Sequence, residues 1–293
     1  MIGYRLFLLL DAFLMTLPKN WRKKIFTALS SLAHQIAFSR NRIIQSNVSF
    51  AFGETLNPSQ KKEIEEYCYR NLALNFLQVM ENRRNNAEDL SSHVTFQNRE
   101  VIDALLDEGR GIIFVSAHFG NWELGGAALS SLITPVSSIY KEFSSSEFDP
   151  YLLEARTNHR MKLAEKNGAL KHIAKALRAN RSILLMIDQA SNARTGVKID
   201  FFGHSTYQSS TPAQLAHKFN TPIVGVYITS HDEKEYIVRF EKPIEVKNNN
   251  EEGVLEATQA QANDLEKIIR TYPKLWFWCH KRWKGEFKEI YLG

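Results

Sequence analysis

Beyond residue 110, short apolar runs alternate with stretches whose apolar positions return every three or four residues. The runs Gly111–Ala117, Ile183–Ile187, Pro222–Ile228 and Tyr236–Phe240 are too short for helices, and their near-continuous apolar character suits strands buried on both faces. Between and around them, helical spacing is found near 99–108, 122–132, 150–166, 170–179, 209–219 and 254–271. Strands separated by helices predict an α/β fold, with a mixed, largely parallel sheet covered by helices. In such sheets reacting groups collect at the carboxyl ends of strands. Two places meet that condition: His118 after the first run, and Asp188-Gln189 after the second.

The first eighty residues read differently. A long helix is expected from about Pro58 to Arg84, with Ser59 as its candidate N-cap. Before it, Leu6–Leu17 is an apolar run broken by Asp11 and closed by Pro18, shorter than the roughly 20 residues that cross a bilayer. No small-residue cleavage site follows it, so an uncleaved, shallow or tilted anchor fits better than a leader peptide. Trp21, Ile25, Phe26, Leu29, Leu32, Ala33 and Ile36 then recur at helical spacing. Such a helix can lie at a membrane interface or pack its stripe on the catalytic body. Residues 1–40 are therefore expected to form a membrane-associated helical segment, and residues 41–293 the catalytic domain.

Charge sharpens the contrast. The net charge is +5, yet no Asp or Glu occurs from Ala12 to Gly53, where Lys19, Arg22, Lys23, Lys24, Arg40 and Arg42 fall. A basic stretch of this kind attracts phospholipid headgroups, nucleic acid or an acidic protein. The two cysteines, Cys68 and Cys279, lack C-x-x-C pairing, so two reduced thiols are expected and neither a disulfide framework nor a metal site.

Candidate chemistry centres on His118-Phe-Gly-Asn-Trp-Glu123. On one continuous helix, residues five apart point about 140° away from each other. A strand, a Gly120-Asn121 turn and a helix opening at Trp122 would let Glu123 fold back onto one ring nitrogen of His118. The other nitrogen is then left to take a proton from a hydroxyl. No G-x-S-x-G places a nucleophilic serine, and Ser116 precedes His118 too closely for a nucleophile elbow. H-E-x-x-H is absent, as is any phosphate-cradling glycine loop or nucleic-acid motif. A purely basic binding module would leave the His118–Glu123 turn without a task.

The segment His118–Leu124 resembles the H-x4-D/E motif of the glycerolipid and lipid A acyltransferase superfamily. Further segments, in order, are similar to the lipid A late acyltransferase branch: Ser138–Lys141 with Asp149–Leu153 and Arg160, Ile187-Asp188-Gln189, Phe201-Phe202-Gly203 and Trp276–Lys284. The likeness runs from about Arg5 to Lys284. Lys141 stands where that branch usually has Arg, and Ser209–Pro212 replaces a Thr-Gly-rich stretch.

The resemblance implies acyl transfer from an acyl thioester to a lipid hydroxyl; no cofactor is expected, and because no activated Ser or Cys accompanies His118 the transfer is expected to be direct, without a covalent acyl-enzyme. Acyl carrier protein is the implied donor, a phosphorylated lipid A precursor the acceptor, and the cytoplasmic face of the inner membrane the setting. Another glycolipid or a glycerophospholipid is the alternative acceptor; membrane lipids are expected partners and nucleic acid is not. His118 is the expected base and Glu123 its orienting partner. Arg160 is the expected charged donor or phosphate clamp, with Arg156, Lys141, Asn121 and Asp188 completing the substrate-binding set. Asp188 could position a basic side chain or cap a turn. The closing tryptophans could form a lipid-facing surface or pack the core.

Overall fold

The computed structural model describes residues 2–140, 148–165, 168–246, 248 and 250–292. Four helices come first: α1 (Ile2–Thr16), α2 (Lys19–Ile36), α3 (Phe38–Phe52) and α4 (Pro58–Asn82). Alternation then begins with α5 (Ala87–Ser91), β1 (Val94–Gln97), α6 (Arg99–Asp107), β2 (Ile113–Ser116), α7 (Trp122–Ala128), β3 (Val136–Tyr140) and α8 (Asp149–Thr157). It continues through β4 (Lys162–Glu165), α9 (Ala169–Arg178), β5 (Ser182–Met186), β6 (Gly196–Phe201), β7 (His204–Ser209), α10 (Thr211–Phe219), β8 (Ile223–Thr229), β9 (Tyr236–Phe240) and α11 (Glu251–Thr271).

Seven strands form the main sheet in the order β1-β9-β8-β2-β5-β3-β4, and every pairing is parallel except β8 with β9. The four apolar runs are β2, β5, β8 and β9, and β8, β2 and β5 lie side by side in its middle. A separate antiparallel hairpin is formed by β6 and β7. Alternate residues of β2 face opposite cores: Ile113 and Val115 join α3, α9, α10 and α11 with the C-terminal tryptophans, whereas Phe114 joins α6 and α7. The α/β expectation is met.

Local differences have local causes. The helix expected over 150–166 stops at Thr157, because Arg160 has φ +63°, which a right-handed helix cannot contain, and the chain re-enters the sheet as β4. The cap of α4 is Asn57 rather than Ser59. With Pro58 occupying the first helical position, the Asn57 side chain accepts from Gln60 N–H, and the Gln60 side chain reciprocates.

Residues 38–52 form one helix, so the boundary expected at 40/41 falls inside α3. Upstream, α1 and α2 pack on α4 and α8 in a small core of Leu14, Phe26, Leu77, Met80 and Tyr151. Asp11, the polar interruption of the apolar run, is buried between Arg83 (3.1 Å) and Arg84 (2.7 Å) at the end of α4. Glu233 in the β8–β9 connection receives Lys23 of α2 at 2.8 Å and Arg70 of α4 at 2.7 Å. The opposite side of these helices leaves Leu6, Leu9, Leu10, Phe13, Trp21, Leu29, Leu32 and Ile36 exposed, as is Phe38 at the start of α3. No helix among the described residues is long and apolar enough to cross a membrane. Cys68 and Cys279 are free thiols, with sulfurs 3.6 Å apart between α4 and the C-terminal segment.

Candidate active site

Where β2 ends, the chain turns sharply into α7. Gly120 has φ +58°, and a Cβ there would lie 2.1 Å from the carbonyl oxygen of Ile228 on β8, so only glycine fits the turn. Asn121 caps α7 by accepting from Leu124 N–H at 3.1 Å, while its Nδ2 donates to Gln78 at 3.2 Å. It is buried, and both of these bonds hold the turn.

Two other elements clasp the turn. Along α4, Asn71, Asn75, Gln78 and Asn82 form a buried stripe of amides. Asn75 donates to Gly120 O (2.9 Å) and accepts from Glu123 N–H (3.2 Å), and Asn82 donates to Glu123 O (3.2 Å). From the C-terminal side, Phe277 N–H donates to His118 O and Gly120 N–H to Leu275 O, each at 2.8 Å. Sequence reading passed over these amides. Their signal was the spacing, which places polar groups at i, i+4, i+7 and i+11 on the face of α4 that should bury apolar ones.

Position 188, at the end of β5, delivers the carboxylate that meets His118. His118 Nδ1 lies 3.0 Å from Asp188 Oδ1, and the main-chain N–H of His118 donates to Oδ2 at 3.0 Å. Trp276 Nε1–H donates to the same Oδ2 at 3.2 Å. Asp188 is fully buried. Burial alone would raise its pKa, but His118, its N–H donors and His280 hold the carboxyl well below its ordinary value. Burial disfavours protonated His118, yet the Asp188 charge and hydrogen bond, with help from Glu123, raise its pKa overall. An ionised acceptor fixes the ring proton on Nδ1, leaving Nε2 as the basic edge.

Glu123 does not orient the ring. Its carboxylate takes a bidentate bond from Arg156 of α8, Nη2 to Oε1 at 2.7 Å and Nε to Oε2 at 3.1 Å. Helix α7 begins at Trp122 and places Glu123 in its first turn beside α8, whereas β5 runs parallel to β2 and ends level with His118, so Asp188 and not Glu123 reaches the ring. Burial opposes the charge on Arg156, but Glu123 outweighs it and raises the guanidinium pKa. Arg160 is exposed beyond the end of α8, and no hydrogen bond or ion pair joins it to these groups among the described residues. Lys141 lies outside the described residues.

The closing signature is core rather than surface. Trp276, Trp278 and Trp283 are buried, as is Arg282, which donates to Gln189 O (3.1 Å), Tyr207 O (3.2 Å) and Gln208 Oε1 (2.9 Å). Burial lowers the Arg282 pKa to about 10. His280 places its ring centroid 5.1 Å from that of His118. Ser116 donates its hydroxyl to Val226 O at 2.7 Å.

Fold and site together define an α/β protein with a carboxylate-held histidine at the end of a central parallel strand. The chain belongs to the bacterial lipid A biosynthesis acyltransferase family, whose sequence model matches residues 3–285. That is the family and enzyme class expected from the motifs. Among curated proteins it is similar to the phosphatidylinositol mannoside acyltransferase of Mycolicibacterium smegmatis, 25% identical over 188 residues, covering 63% of this chain and 60% of that protein. The protein of the same description from Mycobacterium tuberculosis H37Rv is 22% identical over 192 residues, covering 64% and 59%. The match thus spans about three fifths of the length of these relatives.

Proposed function

We propose that this protein transfers a fatty acyl chain from an acyl thioester to a hydroxyl of an anionic glycolipid at a membrane surface. The observation that carries this reading is the 3.0 Å contact between His118 Nδ1 and the buried Asp188 carboxylate, which leaves Nε2 as proton acceptor. As the acceptor hydroxyl gives its proton to Nε2, its oxygen attacks the thioester carbonyl. Collapse of the tetrahedral intermediate breaks the C–S bond, and the leaving thiolate takes the proton back from the imidazolium. Products are an ester and a thiol; Asp188 holds the ring and stabilises its charged form throughout.

Arg156, held by Glu123 yet partly exposed, supplies donors for the developing oxyanion or a phosphate of the substrate. Arg160 offers a second, solvent-facing cation for an anionic headgroup. The acceptor assigned here is a lipid A precursor, supported by the family; a phosphatidylinositol mannoside-like glycolipid is the second reading, supported by the relatives' names. Acyl carrier protein is the proposed donor. The exposed apolar side chains of α1 and α2, with Lys24, Arg40 and Arg42 nearby, would seat the enzyme on the cytoplasmic leaflet of the inner membrane.

The test is transfer of labelled acyl chain from acyl carrier protein to each acceptor, using wild type and His118→Ala. Near wild-type turnover by folded His118→Ala would defeat the proposal. A trapped acyl-Ser or acyl-Cys would redirect it to a covalent route.

A further inference from the structure

His280 has a buried Nε2 without a hydrogen-bond partner. A buried polar atom left unpaired is rare enough to need a reason. Its surroundings supply one: a ring nitrogen of His280, a ring nitrogen of His118 and a carboxylate oxygen of Asp188 all lie within 4.8 Å of one another. These three come from the end of β2, the end of β5 and the C-terminal segment, which is why no sequence spacing betrayed them. Two imidazoles and one carboxylate make a ligand set for divalent transition metals.

We propose that His118, Asp188 and His280 form a binding site for a divalent cation of the Zn2+ type, and that occupying it suppresses acyl transfer. The part concerning suppression rests on the function proposed above; the part concerning binding does not. Zinc bonds to nitrogen and oxygen at about 2.0–2.2 Å, so the cluster must close around the ion, with a fourth position left to water. Asp188 is prepared for this role. Its Oδ2 is held by Trp276 Nε1–H and by the main chain of His118, while Oδ1 faces the ring nitrogen. Such outer hydrogen bonds fix the orientation of metal ligands.

A metal bound at His118 would take the place of a ring proton there. Arg156 faces His118, as do Arg40 and Lys284 toward His280 and Arg282 toward Asp188. These cations repel any dication, so binding depends on the coordinate bonds that imidazole gives zinc-like ions and withholds from Mg2+ or Ca2+. Suppression follows at either nitrogen of His118. An ion on Nδ1 forces the ring proton onto Nε2, and an ion on Nε2 takes the basic lone pair itself.

The experiment titrates the full chain, free of any histidine tag, with Co2+ and follows its visible absorption, then displaces it with Zn2+. Acyl transfer is measured over the same zinc range. One equivalent of cobalt with imidazole-ligand bands is expected, released by zinc and ignored by Mg2+. His280→Gln should weaken both cobalt binding and zinc inhibition by at least about tenfold, against that variant's own metal-free rate. His280→Glu, which restores a ligand atom, should keep both. Absence of a one-equivalent cobalt site in wild type overturns the proposal, as does an unchanged metal response in folded His280→Gln. Cobalt binding by a chain that transfers no acyl group would leave the metal site standing and remove the function proposed for it.

Discussion

The turn at the end of β2 and the pair of helices at the N-terminus use buried polar groups to opposite effect. Around the turn, polar groups face inward and converge: four amides of α4, the Asp188 carboxylate and the main chain of the C-terminal segment leave His118 one position to occupy. Along α1 and α2 the buried polar contacts act as pins, through Asp11 and Glu233, and the apolar residues face outward. A rigid centre needs its polar groups satisfied within the protein; a surface that seats on lipid needs its apolar groups unsatisfied there. The chain reverses which kind of group it hides between the two regions, and on the proposed function the second of them is the surface that meets lipid.

The largest expected effect lies at the centre of the turn. Asp188→Asn should reduce transfer by about 10²–10⁴-fold, the range for impaired general-base catalysis. Removing the carboxylate also removes what raises the His118 pKa. In the wild type, activity should fall as pH drops through the raised His118 value, because the base must be neutral. In Asp188→Asn the residual activity should persist to lower pH, which a pH–rate profile checks. Glu123→Gln should cost less than Asp188→Asn, since Glu123 holds Arg156 rather than the ring; the reverse ranking would return the orienting role to Glu123.

Phe13→Ser probes the other region. If the exposed face of α1 inserts, losing this side chain should weaken liposome partitioning by about 1.5–3 kcal/mol, leaving turnover on detergent-dispersed acceptor unchanged. Asn75→Ala should destabilise folding by about 1–3 kcal/mol in denaturant titrations, because the Gly120 carbonyl and the Glu123 N–H both lose their buried partner. The smallest effect belongs to Lys24→Gln on the exposed basic edge. About 1 kcal/mol less binding to anionic vesicles, roughly fivefold, should vanish in high salt.

Much of the fold was legible because β2, β5, β8 and β9 are apolar runs bounded by recognisable helices. The edge strands β1 and β4, and β3 inside β4, were not: Val94–Gln97 and Lys162–Glu165 mix polar with apolar positions, and their strand character comes from the neighbour each pairs with. At the site, His118 could be read from its place after a strand, and the tie between Glu123 and helix α7 from the turn. Which carboxylate reaches the ring could not. That depends on β5 lying beside β2, a long-range pairing that no spacing between positions 118 and 123 encodes. The meeting of His280, a member of the closing signature, with His118 was hidden for the same reason, the two being 162 positions apart in sequence.

The bonds from Phe277 to His118 and from Leu275 to Gly120 also bear on how the enzyme comes into being. A ribosome delivers β2, β5 and α4 long before residues 275–283, so during most of synthesis the His118 carbonyl has no partner and Asp188 lacks its tryptophan. On the proposed mechanism, the His118 site is complete only once residues 275–283 have been made. A nascent polypeptide that has already met the membrane through α1 and α2 would be seated before it can react.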